Sequence, residues 1–167
     1  MPFELGEIRR SQVVFYYGPG AVVDFTVKGA PVSAVVLGLE SWERSVGAAP
    51  LDLDRIDEPR LRKLLRVDSF RRPPVAEKND DGAFIGPLLR ARRFPTWLQC
   101  PKCNDLKPQN LWASTPMDPT LWCGRCSGRD ARTNLRNRNF VVPSRFLVAC
   151  KNGHLSDFPY SFWLHGN

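Results

Sequence analysis

The chain has 167 residues, 43 % of them hydrophobic and 25 % charged, with fifteen prolines and a formal charge of +7. These proportions are those of a globular protein and exclude a disordered one. No apolar run approaches the roughly 20 residues that span a bilayer, and the prolines predict a loop-rich fold of short elements.

The N-terminus, MPFELGEIRRSQ, has no apolar signal core and no small-residue cleavage site, so a cytoplasmic protein is expected. A short apolar run, Val13 to Tyr17, leads to the turn Gly18-Pro19-Gly20. A plain reversal is expected there, since a phosphate-cradling loop would need more length and a lysine. The runs Ala21 to Phe25 and Val32 to Leu37, separated by Lys28-Gly29-Ala30-Pro31, predict a β-hairpin. Asp57 is a candidate N-cap for a helix that carries Leu61, Leu64 and Leu65 on one face, with Arg60, Arg62, Lys63 and Arg66 mainly opposite.

From Val67 the periodicity is lost, and Arg71-Arg72-Pro73-Pro74 and Asn79-Asp80-Asp81-Gly82 have loop composition. The reading is therefore an N-terminal hairpin-plus-helix lobe over 1–66, a linker over 67–90, and a third segment over 91–167.

The third segment holds the strongest motif. Cys100-Pro-Lys-Cys103 and Cys123-Gly-Arg-Cys126 are separated by nineteen residues. Two residues between thiols let one tight knuckle aim both sulfurs at one ion, and two knuckles complete a tetrahedron. Cys100, Cys103, Cys123 and Cys126 are thus expected to bind Zn(2+). Two disulfides would need an oxidising compartment. A site filled by four sulfurs leaves no position for water, so its expected role is structural. Lys102 and Arg125, inside the knuckles, offset part of its negative charge.

The charge is localised on this module. Ten Lys/Arg lie between Arg90 and Arg138 against three acids, whereas the remainder of the chain holds fourteen of each. Such a field points to a polyanion, with Arg129, Arg132, Arg136 and Arg138 as candidate nucleic-acid contacts. Trp97, Trp112 and Trp122 could stack on bases, although core packing is expected for at least two of them.

Phe140 to Pro143 and Arg145 to Cys150 read as strands, Asn152-Gly153 as a type I′ turn, and Ser156 or Asp157 as the cap of a final helix carrying Phe158, Phe162, Trp163 and Leu164. Cys150, His154 and His165 are the remaining ligand-type residues. They suit a buried thiol with two structural histidines, a partial metal site with Asp157 or residues beyond Asn167 supplying the fourth ligand, or a Cys–His catalytic pair. No P-loop, Rossmann fingerprint, H-E-x-x-H or G-x-S-x-G motif is present, and no enzymatic activity is expected. The fold class expected is α+β, small and loop-rich, with short hairpins, one or two short helices and a zinc-ribbon-like module.

Several blocks resemble one family in order from end to end. They are Ile8-Arg9-Arg10-Ser11-Gln12, Tyr17 to Phe25 around Gly18-Pro19-Gly20, Phe94 to Cys103, and Arg145 to Pro159 with Trp163 and His165. Together they cover about half of the chain and resemble the N-terminal part of the DrmB family of the DISARM antiphage systems. The resemblance implies a helicase-associated subunit whose partners are a helicase-family ATPase (DrmA-like) and DNA, with no membrane and no small-molecule substrate. Family members are several times longer, which implies that these residues form an N-terminal piece. The other reading of the same features is a free-standing zinc-ribbon adaptor that binds RNA or an acidic protein.

Overall fold

Among the described residues, two three-stranded antiparallel sheets are joined by a short connection and by contact between a strand of each. The computed structural model describes residues 8–38, 40–42, 55–74, 76–82, 84–85, 88–116, 118, 120–128, 134 and 137–166. The chain is α+β, as its composition and turns led us to expect.

The apolar run near the N-terminus belongs to a short helix, α1 (Arg10–Phe15). The Gln12 side chain accepts a hydrogen bond from the Arg9 amide at 2.9 Å, which satisfies one of the donors that a helix start leaves open. Strands β1 (Val22–Val27) and β2 (Ala30–Val36) pair in the register Val27↔Ala30 to Val22↔Val35. The loop between them is tighter than expected. Only Lys28 and Gly29 turn the chain, at φ 50° and 79°, the doubly positive geometry that matches strand twist. Val23, Val27, Ala30, Ala34 and Val36 form the buried face, and the Ser33 hydroxyl bonds the carboxylate of Asp24 across the pair.

Gly18-Pro19-Gly20 is a plain turn. The Gly20 amide donates to the Val36 carbonyl at 2.8 Å and the Ala21 amide to Gly18 at 2.9 Å, so neither is free for a phosphate. Gly20 itself needs its φ of 87°.

The helix expected after Asp57 is present as α2 (Pro59–Leu65), following the two-residue strand β3 (Arg55–Ile56). Its N-cap is Glu58 rather than Asp57, because Pro59 supplies the fixed φ of the first helical position. Arg66 ends it in the left-handed region at φ 54°. Its leucines are not core: Leu64 is 77 % exposed, and Leu61 lines a shallow groove with Val14, Ile56 and Phe70.

Residues 67–90, read as a linker, carry three two-residue strands. β4 (Phe70–Arg71) pairs with β3, and β5 (Glu77–Lys78) pairs with β6 (Phe84–Ile85). β7 (Ala91–Arg93) then returns to the first sheet beside β2, giving the order β1–β2–β7. The third segment is thereby hydrogen-bonded into the first. Three residues later the chain enters the second sheet, whose order is β10–β8–β9, built from β8 (Trp97–Gln99), β9 (Leu106–Pro108) and β10 (Val142–Pro143). The intervening Phe94–Pro95 peptide is cis, and β10 lies against β2.

A hairpin, β11 (Leu147–Ala149) with β12 (Leu155–Asp157), and the helix α3 (Tyr160–His165) complete the described chain. Neither Ser156 nor Asp157 caps α3; Pro159 occupies that position. The Asp157 carboxylate instead accepts from the Thr96 amide at 2.8 Å, the Thr96 hydroxyl at 2.5 Å and the Trp97 amide at 3.4 Å. Trp97 packs on Tyr160 at 5.1 Å between ring centroids, and Tyr160 on Phe158 at 4.9 Å. Charge-assisted bonds and tilted, edge-on aromatic rings thus dock the terminal hairpin on the strand that leads into the first knuckle. No helix among the described residues is long and apolar enough to cross a membrane.

Candidate metal centre

The first knuckle leaves β8 at Cys100. The Cys100 amide donates to the Asp105 carbonyl at 2.9 Å, and the Asn104 amide to the Cys100 carbonyl at 2.8 Å. Asn104 ends the loop at a positive φ of 58°, a conformation that asparagine tolerates better than most residues. The second knuckle repeats this amide-to-carbonyl closure and adds a side-chain bond. The Ser127 amide and hydroxyl both donate to the Cys123 carbonyl, at 3.0 and 2.6 Å.

Asn139 joins the two knuckles. Its carbonyl accepts from the Cys123 amide at 2.9 Å, its own amide donates to the Ser127 hydroxyl at 2.9 Å, and its side-chain amide donates to Cys100 Sγ at 3.0 Å. Sequence spacing offered no sign of this residue, because it lies 39 positions from the sulfur that it serves.

These constraints bring the four sulfurs within 4.8 Å of one another, with Cys103 Sγ and Cys123 Sγ 3.9 Å apart. All five cysteines are free thiols, so the disulfide alternative is not adopted. The cluster is the centre of the module's core: Cys100 and Cys123 are buried with Leu98, Trp112 and Val141, and Cys103, Leu121 and Cys126 pack against them. Four sulfurs at this spacing can hold a metal ion.

The electrostatics favour a cation at the centre. The Arg125 side chain bonds Cys103 and, with the backbone of Asp105, pulls that thiol down to about 6 from an ordinary 9.0. Desolvation and the neighbouring sulfurs push Cys126 up to about 12. Four thiolates this close repel one another, and they ionise together only when a metal supplies positive charge.

The Cys103 shift has a pH consequence with a definite sign. A thiol whose folded value is depressed contributes stability that is fully present above its unfolded value near 9 and is lost as pH falls through about 6. Protons compete with metal for the same sulfur. In Arg125→Gln protein the pH of half-maximal metal loading is therefore expected to rise, read by metal content after equilibration across a pH series. An unchanged midpoint would show that Arg125 does not support the thiolate.

The basic residues divide. Arg138, expected on a nucleic-acid face, is buried, with its side chain 4 % exposed. Its guanidinium lies 4.0 Å from the Trp122 ring centroid, pairs with Asp118 at 3.3 Å and bonds the Thr115 hydroxyl at 3.3 Å. Burial works against the Asp118 carboxylate. Hydrogen bonds from Thr120 outweigh it together with Lys28 and Arg138, and the net shift is downward. Lys28 approaches Asp118 at 3.6 Å, tying the β1–β2 turn to the metal module.

Lys107 pairs with Asp105 at 3.1 Å and lies over Trp112 at 4.2 Å. Arg90, Arg92 and Lys102 are exposed. Arg129, Arg132 and Arg136 lie outside the described residues. Of the three tryptophans, Trp112 and Trp122 are core and Trp97 is half-buried.

Comparison with known proteins adds two findings. The chain is 27 % identical over 139 residues to the DISARM protein DrmB of Bacillus paralicheniformis, a match that covers 80 % of this chain and 20 % of that protein. The chain thus spans about a fifth of the length of the relative that it matches. The domain is DrmB-like, in agreement with the resemblance carried by its sequence blocks. A family model described as a domain of unknown function, DUF8724, matches residues 9–167, and the chain belongs to that family.

Proposed function

We propose that this domain is a zinc-stabilised, non-catalytic part of a DrmB-like subunit that works with a helicase-family ATPase on DNA in bacterial antiphage defence. The similarity to DrmB carries the defence context, and the four-sulfur cluster carries the structural role of the metal.

Zinc is the ion that the donor set suits. A tetrahedral zinc with sulfurs at about 2.3 Å has S···S edges of about 3.8 Å, and the Cys103–Cys123 separation is 3.9 Å. Zinc held by four thiolates has no redox chemistry and no open position, so it would organise the fold and leave chemistry to a partner. Such a site suits the reducing cytoplasm. The Arg125 and Asn139 side chains, each bonded to a sulfur, would orient the ligands and offset their charge.

A phosphate surface on this domain would draw on the arginine-rich run that starts in the second knuckle, Arg125 to Arg138. Arg138, Lys107 and Arg125 already have partners within the module. The test is therefore DNA binding by the full chain against salt, compared with an Arg129→Gln, Arg132→Gln, Arg136→Gln variant. Loss of three phosphate contacts is expected to flatten the log–log slope by roughly 2 to 3. An unaltered slope overturns the placement of the DNA surface. Tighter binding to RNA than to DNA would favour the adaptor reading instead.

A further inference from the structure

The fifth cysteine lies outside the four-sulfur cluster, on the exposed terminal hairpin. The Cys150 amide donates to the His154 carbonyl at 3.1 Å, and the Gly153 amide to the Cys150 carbonyl at 3.0 Å. Lys151-Asn152-Gly153 is thus a three-residue loop. Gly153 alone carries the positive φ, 81°, so it is not the type I′ turn that Asn-Gly suggested. A loop of this kind sets the two residues that flank it directly opposite each other, with their side chains on one face. Cys150 Sγ accordingly lies 3.4 Å from His154 Nδ1, and both residues are exposed.

That separation is that of a thiol–imidazole hydrogen bond, and it also matches the spacing of two ligands on one metal. A tetrahedral ion bonded to sulfur at about 2.3 Å and to imidazole nitrogen at about 2.0–2.1 Å has an S···N edge of about 3.5 Å. We propose that Cys150 and His154 form a bidentate half-site for a thiophilic divalent cation of the zinc class, its remaining positions filled by water in the isolated chain. The imidazole would bind through Nδ1 and keep its proton on Nε2, toward solvent. The pair is held in place from behind. Asp157, at the end of the same hairpin, is bonded to Thr96 and Trp97, and Phe146 packs on Phe158 at 6.0 Å. A half-site on an anchored hairpin pays little ordering entropy when it binds.

Neither Asp157 nor His165 completes such a site among the described residues. Asp157 is committed to Thr96 and Trp97. Among the described residues the four knuckle cysteines are the only group of three or more potential ligands, so His165 does not join the pair. Two open positions make this site weaker than the four-sulfur centre, and they let a donor from another polypeptide enter.

The test is cobalt(II) titration of the full chain after its four-sulfur cluster has been loaded with zinc. One further equivalent is expected to bind, with sulfur-to-cobalt charge-transfer absorption. Cys150→Ser should abolish that band. His154→Ala should weaken binding at least about tenfold, since loss of even an outer partner of a ligand costs that much. The zinc content of the first cluster should not change in either variant. Failure to bind a further equivalent overturns the proposal, as does a Cys150→Ser variant that binds like the parent. Unchanged affinity in His154→Ala also overturns it, because a single thiol would then account for the binding.

Discussion

Cys100→Ser is expected to abolish cooperative folding of the second sheet and its knuckles. Cys100 is fully buried among Leu98, Trp112 and Val141, and it receives the Asn139 side-chain amide at 3.0 Å. Serine is close to cysteine in shape, so little of the effect would come from a packing void. The loss would come from the metal. Structural zinc contributes about 10–16 kcal/mol in small modules, comparable to the entire stability of a domain, about 5–15 kcal/mol. Three sulfurs cannot hold the ion as four do, and without it the remaining thiols no longer tie the two knuckles together. Zinc content and the thermal melt should fall together, and a chelator should reproduce both in the parent protein. A melt indistinguishable from the parent would show that the cluster does not hold the module together.

Arg138→Ala is expected to be the most damaging single change among the basic residues, with the loss appearing in stability. The arginine fills three roles at once: it pairs with Asp118, bonds Thr115 and covers the Trp122 ring. Removing one member of a buried pair typically costs about 3–5 kcal/mol, because the other charge stays behind in a poor solvent. Lys28 and Thr120 remain to hold Asp118, which places the expectation at about 3 kcal/mol, or a Tm lower by on the order of 10 °C. Arg138→Lys should recover only part of the loss, since an ammonium cannot lie flat on the indole or reach two acceptors in a plane. The salt dependence of DNA binding should be the same for the folded variant and the parent. A change in that slope without a change in Tm would return Arg138 to the nucleic-acid surface.

These two residues show where reading the chain succeeds and where it stops. The thiols were legible because a knuckle is a local object. Two intervening residues and a turn-forming neighbour decide where both sulfurs point, whatever the rest of the fold does. The β1–β2 hairpin was legible for the same reason: Lys28-Gly29 lies between two β-branched runs, and register follows from the turn. The α2 helix was legible as a helix, since Pro59 and the leucine spacing are local. Its leucines are nevertheless exposed, because nothing in a periodic pattern states what the apolar face will meet.

Arg138 and its neighbours in the arginine-rich run have the same local chemistry, and charge counting treats them alike. Arg138 is buried because Asp118 and Trp122 are brought beside it by the strand bridge from Trp122 to Phe140. Likewise, Asp157 was read as a helix cap or a ligand, yet it binds Thr96 about sixty positions earlier. The sequence by itself determined the four candidate metal ligands, the β1–β2 hairpin and the α+β class, since those depend on spacings of a few residues. Only the tertiary structure decided which cations are used up inside, that Asn139 joins the knuckles, and that Cys150 and His154 face each other across a three-residue loop. The reason is that partners distant along the chain, or a turn's particular closure, are chosen by packing and hydrogen-bond satisfaction, which local pattern does not encode.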